Sequence, residues 1–226
     1  MDVGIIIPAY NSQKTIISTL NSVSNLKKKV KLINFYPVLI DDGSSDKTYS
    51  IAEIFKKKKV LYKLIKLNKN KGISNARNVG IRYLRDKDFL IFLDSDDKIN
   101  YRFFLKKNIF KKNTIYISSY LEKTNKIKKR VNFFNKDKKF KKNQILNYLK
   151  LYLKKPNKHK MVSYVWGKIY PCKIIKKYKI RFKNNLVIAE DLEFNLNIFN
   201  KINNLYYKKE LLYEYNNNLN NKNIYS

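Results

Sequence analysis

Five apolar residues without alternation, Phe89-Leu90-Ile91-Phe92-Leu93, run directly into Asp94-Ser95-Asp96-Asp97, three carboxylates in four positions. A short continuous apolar run reads as a strand buried on both faces, the signature of a parallel sheet covered by helices. Acidic residues at its carboxyl end stand where open α/β sheets bind ligands. Asp94 and Asp96, one residue apart on an extended segment, point the same way. Carboxylates this close repel one another, so a cation would suit them. Hard oxygen ligands match Mg²⁺ or Mn²⁺, held together with substrate phosphates. The plainer alternative is a polar turn in which Ser95 and Asp96 cap a following helix.

The chain leading to this stretch alternates. Val3 to Ile7 is a strand stopped by Pro8, and Asn11 or Ser12 is placed to cap a helix carrying Ile16, Ile17, Leu20 and Val23. Phe35 to Ile40 is a second strand, closed by Asp41-Asp42-Gly43-Ser44-Ser45-Asp46, where Gly43 permits a tight turn and Ser45 or Asp46 caps a helix with Ile51, Ala52, Ile54 and Phe55 inward. Val60 to Leu67 is a third strand. Asn70-Lys71-Gly72 opens a helix with Ile73, Ala76, Gly80, Tyr83 and Leu84 on one face and Arg77 off it. Residues 1–97 therefore predict an α/β fold with a doubly wound, mainly parallel, Rossmann-like sheet.

Beyond Asp97 the pattern loosens into an α+β extension, residues 98–215. A helix is expected over Tyr101 to Phe110, strands over Thr114 to Ser118 and Lys129 to Phe134, and an amphipathic helix over Asn143 to Leu153. Val162 to Trp166 is apolar, and Glu190-Asp191 precedes a helix with Leu192, Phe194, Leu196 and Phe199. Residues 216–226 form an Asn-rich tail, expected to fray.

Composition narrows the classes. At 226 residues and 44% hydrophobic, the chain can bury a core. Its longest apolar runs fall short of the roughly 20 residues a membrane span needs, and no secretory leader is visible. One cysteine, Cys172, excludes an internal disulfide, and together with a lone His159 it argues against a zinc site or a Cys/His pair. The expected compartment is the cytoplasm. The net charge of +33 has a bland reading, since Lys, Asn, Ile and Tyr are abundant everywhere. Its functional reading is a polyanionic partner, an anionic membrane surface ahead of nucleic acid, with the protein peripheral at the inner face of the plasma membrane.

Set side by side, Asp41 and Asp42 after one strand and Asp94 and Asp96 after another can face one crevice. A carboxylate there can accept from uracil N3–H or ribose hydroxyls, and Arg77 near a helix start can add a charge-assisted phosphate contact. Six motifs now stand in order: Pro8-Ala9-Tyr10-Asn11, Asp41 to Asp46, Gly72-Ile73-Ser74-Asn75-Ala76-Arg77-Asn78, Leu93 to Asp97, Trp166-Gly167-Lys168 and Glu190-Asp191. With them the chain resembles the inverting glycosyltransferases of family 2, hexosyltransferases included, over roughly residues 3–200.

The resemblance implies a GT-A fold with a nucleotide-sugar half in residues 1–97 and an acceptor half in residues 98–215. It implies Asp42 on uracil, Asp94 on ribose, Asp96 as the metal ligand of a DxD motif spanning Asp94-Ser95-Asp96, and Arg77 on the diphosphate. Pro8, Ala9, Tyr10, Asp41 and Ser95 complete the donor site, and Asp191 is the general base. Asp97, Trp166, Lys168 and Glu190 face donor sugar or acceptor. Trp166 reads equally as a core residue, and Glu190 or Asp191 as helix N-terminal stabilisers. The implied activity moves a sugar from a nucleoside-diphosphate donor, expected to be UDP, to a hydroxyl of a glycan or lipid-linked acceptor in cell-envelope polysaccharide synthesis, with Mn²⁺ or Mg²⁺. Many members continue into a further region or membrane helices; this chain stops soon after the last motif, so a processive membrane-embedded synthase is not expected.

Two rival classes fit less well. Sugar-1-phosphate nucleotidyltransferases carry a Gly- and Arg-rich loop after the first strand, where this chain has Pro8-Ala9-Tyr10-Asn11. A basic nucleic-acid-binding protein would use its Tyr and Phe as stacking platforms but has no need of carboxylates gathered at strand ends.

Overall fold

In the computed structural model of the protein, residues 1–105, 110–186 and 188–217 are described. Val3, Ile5 and Ile7 of β1 (Asp2–Ala9) face one apolar layer and Ile6 the other, so no position along its centre is free for a polar residue. The same holds for β4 (Phe89–Phe92), whose Leu90 and Phe92 face opposite to Phe89 and Ile91. This two-sided burial is the reason both strands are unbroken apolar runs.

Between them come α1 (Ile16–Lys29), β2 (Asn34–Asp41), α2 (Thr48–Lys57), β3 (Lys63–Lys66) and α3 (Ile73–Tyr83). α1 and α2 cover one face of the sheet and α3 the other. All pairings among β1 to β4 are parallel, in the order β3-β2-β1-β4. The chain thus builds outward from β1 and then returns to its other side, which puts a topological switch point between β1 and β4.

The second half continues the same sheet through β5 (Lys98–Ile99), α4 (Arg102–Leu105), β6 (Thr114–Lys123), β7 (Lys128–Val131), β8 (Lys138–Lys141), α5 (Lys142–Lys154), β9 (Lys168–Pro171), α6 (Cys172–Lys177), α7 (Glu190–Phe199) and β10 (Asn204–Asn216). β9 runs antiparallel to β4 on one side and to β6 on the other, welding the halves into a ten-stranded sheet among the described residues. β10 lies parallel to β6 and antiparallel to β5 and β8.

Several local expectations shift. β1 runs through Pro8 to Ala9, because the last β1–β4 pair is Ile6 with Phe92 and the missing N–H falls beyond it. α1 starts at Ile16 without a side-chain cap; Asn11 instead sits at φ +46 and accepts from Ser45 N at 3.0 Å. Neither Ser45 nor Asp46 is the formal cap of α2, yet Asp46 still takes the Thr48 N–H at 2.8 Å. Ile17, Ile54 and Tyr83, expected inward, are exposed. The strand expected over Val60 to Leu67 shortens to β3, and the one over Thr114 to Ser118 lengthens into β6. Of the helix expected over Tyr101 to Phe110, α4 holds four residues, and residues 106–109 lie outside the described ones. Of the expected tail, Asn216 ends β10, and residues 218–226 also lie outside.

Candidate active site

The carboxyl ends of β1, β2 and β4 open into one crevice, and two glycines set how close its walls stand. At Gly80 a Cβ would come within 2.5 Å of an Ile6 methyl, so α3 rides directly on β1. At Gly43, with φ +74, a Cβ would meet the Lys69 and Asn70 backbone below 3 Å. That contact folds the 41–46 loop against the one leading into α3. Asp41 and Asp42 are held there: Ser44 Oγ donates to Asp41 Oδ1, and Lys71 N donates to Asp42 Oδ1 at 3.0 Å. Asp41 Oδ2 is buried without a partner. Burial raises the Asp42 carboxyl above its usual range.

Arg77 lies one turn before Gly80, is 2% exposed, and joins the two halves of the site. Its Nη2 donates to Asp94 Oδ1 at 3.0 Å; its Nη1 donates to Asp191 Oδ1 at 2.7 Å and lies 3.4 Å from Glu190 Oε1. The guanidinium stacks near Phe182, 5.2 Å from the ring centroid. One cation thus serves three carboxylates. Burial works against the Arg77 charge, but Asp191 and Asp94 outweigh it and hold the guanidinium protonated. In turn burial raises both Asp94 and Asp191, and Arg77 offsets only part of that. The sequence reading placed Arg77 at a diphosphate; the geometry gives its Nη atoms to carboxylates and leaves its buried Nε without a partner.

The turn after β4 is fastened at several points. Ser95 Oγ lies 2.7 Å from Ser12 Oγ, and Thr19 Oγ1 donates to the Ser95 carbonyl at 2.9 Å, tying the turn to α1. From β10, Tyr213 OH donates to Asp97 Oδ2 at 2.7 Å and accepts from Asp94 N at 3.1 Å. Asn216 N donates to Asp97 Oδ1 at 2.7 Å. Asp97 is buried, which with the neighbouring Asp96 and Asp94 charges pushes its carboxyl well up. Asp96 is only half-buried; its carboxyl is pushed up to about 6 by burial and then by Asp94. Among the described residues no cluster of three donors forms a ready metal cage. The half-buried Asp96 carboxylate is a hard oxygen donor of the kind Mg²⁺ or Mn²⁺ takes one or two of, alongside waters and substrate phosphates.

Asp191 opens α7, and its Oδ2 accepts from Val165 N at 3.0 Å. The segment around Val165 is itself braced. Asn195 Nδ2 donates to the carbonyls of Val162 and Tyr164 at 2.7 and 2.8 Å, Tyr170 OH donates to the Val165 carbonyl at 3.1 Å, and Lys168 Nζ donates to that of Tyr164. Lys168 is buried, and that burial lowers its ammonium to about 7. Trp166 is 6% exposed; Tyr164, Tyr213 and Tyr215 stack on it at 4.6 to 5.2 Å between centroids. Tyr164 and Tyr215 keep partial exposure, so they carry the outer surface of this stack. Tyr10 is 40% exposed at the crevice rim, and Pro8 and Ala9 are buried beneath it.

The structure therefore brings Arg77, Asp94, Glu190 and Asp191 into direct contact, sets Ser95, Asp96 and Asp97 in the turn after Asp94, and holds Asp41 and Asp42 at the end of β2 on Ser44 and Lys71. Sequence reading missed Tyr213, Asn195 and the Tyr164–Tyr215 surface, and it read Ser12 as a helix cap where the structure sets it against Ser95. No local pattern marks Tyr213 or Asn195, because they act on residues 31 to 119 positions away.

A parallel sheet with a carboxylate-lined switch point, closed by an antiparallel β9, is the GT-A architecture. Residues 1–349 of Staphylococcus aureus TarS, solved with UDP, have this fold: TM-score 0.74, 24% identity, over 96% of this chain and 60% of that one. The model of glycosyl transferase family 2 matches residues 4–179, and the chain belongs to that family. Among curated relatives, the poly(ribitol-phosphate) beta-N-acetylglucosaminyltransferase TarS of S. aureus is 38% identical over 101 residues, 44% of this chain and 17% of that protein. The UDP-Glc:alpha-D-GlcNAc-diphosphoundecaprenol beta-1,3-glucosyltransferase WfaP of Escherichia coli is 36% identical over 96 residues, 42% of this chain and 35% of WfaP. The chain spans well under two thirds of the length of either relative.

Proposed function

We propose that this chain transfers a sugar from a UDP-sugar to a hydroxyl of a glycan or lipid-linked acceptor, inverting the anomeric centre, in the building of a cell-envelope polysaccharide. The observation that carries the reading is Arg77, which ties Asp94 at the end of β4 to Asp191 at the start of α7. One guanidinium thereby fixes the spacing between a donor-side carboxylate and an acceptor-side one. TarS solved with UDP and with UDP-GlcNAc, and the UDP-Glc in WfaP's name, support UDP; WfaP's diphosphoundecaprenol acceptor supports a lipid-linked one.

In this reading Asp42 accepts from uracil N3–H and Asp94 from a ribose hydroxyl, with Pro8, Ala9, Tyr10, Asp41 and Ser95 forming the donor floor. Asp96 would hold Mg²⁺ or Mn²⁺, which when bound supplies charge neutralisation on the leaving diphosphate. Asp191 takes the proton from the acceptor hydroxyl. Burial raises its carboxyl above the usual range, which strengthens it as a base, and Arg77 offsets part of that rise by favouring the charged form. Asp97 and Lys168 hold the walls, and Trp166, through Tyr164 and Tyr215, backs the acceptor surface beside Glu190.

The test begins with a panel of UDP-sugars, read for slow hydrolysis with Mn²⁺. With the donor known, Asp191→Asn is expected to bind UDP within a few fold of the parent while transfer falls by about 10²–10⁴. A variant that transfers normally but melts earlier would reduce Asp191 to a helix-terminal stabiliser.

A further inference from the structure

The end of the sheet opposite the crevice is built differently from the site. α1 and α2 both end there, and β2 begins there. Over residues 27–36 and 56–63 the chain has nine lysines and no carboxylate. Eight of the nine are exposed. The two segments form one face: Lys27 Nζ donates to the Lys59 carbonyl at 2.8 Å, and Lys56 Nζ to that of Tyr62 at 2.6 Å.

Lysines in the last turn of a helix complement its C-terminal dipole, which accounts for Lys27 to Lys29 and for Lys56 and Lys57. It does not account for Lys31, Lys58, Lys59 and Lys63, which lie outside the helices. Nor does it account for Leu32, 93% exposed at the tip of the loop between Lys31 and Ile33. Tyr62 and Tyr83 add exposed aromatic surface, at 44% and 43%, with rings 6.1 Å apart. The nearby acids are few. Asp2 accepts from Asn34, Asp88 is paired with Lys112 at 2.9 Å, Asp86 past Tyr83 is paired with Lys176 at 3.3 Å, and Glu53 stands one turn back on α2.

We propose that this face docks on an anionic lipid bilayer, with Leu32 entering the interface and the lysines around it set against headgroup phosphates. Clustered lysines attract an anionic leaflet, and an apolar tip ringed by long cationic side chains suits the headgroup boundary. β2 runs eight residues from this face to Asp41, a span of about 23 Å at ~3.3 Å rise per residue. Docking therefore holds the crevice away from the bilayer. Resting on the transfer activity proposed above, this assigns the acceptor as a chain long enough to extend that far from its lipid, a longer one than the single lipid-linked sugar in WfaP's name.

Vesicle co-sedimentation tests the face without any sugar substrate, so its outcome is separate from that of the transferase reading. Vesicles of 30% phosphatidylserine in phosphatidylcholine are compared with phosphatidylcholine alone. Lys28→Ala with Lys29→Ala and Lys31→Ala should weaken binding roughly fivefold per lysine at low salt. A matched triple change at the end of α5, Lys150→Ala with Lys154→Ala and Lys155→Ala just after it, should cost far less. Leu32→Ser, which leaves the charge unchanged, should weaken binding by about three- to tenfold and keep its effect at high salt. For orientation, a polarity-sensitive dye on Leu32→Cys should shift to the blue on anionic vesicles, and the same dye on Tyr10→Cys at the crevice rim should not. Equal losses from the two triple changes would overturn the proposal in favour of diffuse attraction by the whole +33 surface. A shift at Tyr10→Cys without one at Leu32→Cys would overturn its orientation.

Discussion

Arg77 Nη1 lies 2.7 Å from Asp191 Oδ1, across 114 residues of chain, while its Nη2 holds Asp94. Planar bidentate geometry makes this bridge specific to arginine. Arg77→Lys keeps the charge but reaches one carboxylate at a time. The expected result is a fold that survives with transfer reduced by at least tenfold. Arg77→Met leaves buried carboxylates unpaired and should cost about 3–5 kcal/mol in urea unfolding. A lysine variant with full transfer would show that the bridge does not position the base.

Asp96→Ala should abolish metal-dependent binding of UDP. The carboxylate is half-buried in the turn after β4, and burial and the neighbouring Asp94 charge both oppose its ionised form, which a cation would favour. Calorimetry with UDP, with and without Mn²⁺, decides the matter: unchanged affinity and unchanged metal dependence would remove Asp96 from the site.

Tyr213→Phe probes the turn from the far side of the sheet. The hydroxyl it removes donates to Asp97 and accepts from Asp94 N, and the ring is fully buried. Leaving both partners short should cost about 1–3 kcal/mol of stability. UDP affinity should fall with it, because the turn carries both Asp94 and Asp96. Stability lost with UDP affinity intact would make Tyr213 a core residue only.

Lys168→Met isolates a buried amine. Burial holds it at about 7 in the folded chain against 10.5 for the ordinary group. Between those values the unfolded chain carries a proton that the folded chain does not, so through this group stability rises with pH from about 7 to 10.5. Methionine removes that slope along with the bond to the Tyr164 carbonyl. The stability of the variant relative to the parent should therefore be most favourable near pH 7 and decline as pH rises. A pH-independent difference would mean that Lys168 stays charged when folded.

The residues near the strand ends were legible from sequence for a local reason. Asp41, Asp42, Asp94, Asp96 and Asp97 follow apolar runs, and both-face burial allows no other pattern for central parallel strands. The alternation up to Asp97 likewise dictated helices on both faces, and six motifs in order pointed to the family that the match over residues 4–179 then showed. Tertiary structure alone decided the rest. β10, the longest strand at 13 residues, carries charged and apolar residues without clean alternation, because it lies between β6 and two short strands, β5 and β8. Arg77 read as a residue off the apolar face of α3, and only the arrival of α7 buries it and gives it Asp191. Tyr213 carries no mark in the sequence, since a hydroxyl takes its meaning from whatever lies within 3 Å of it. Local burial writes a periodic signature into the chain; a contact across 114 residues writes none.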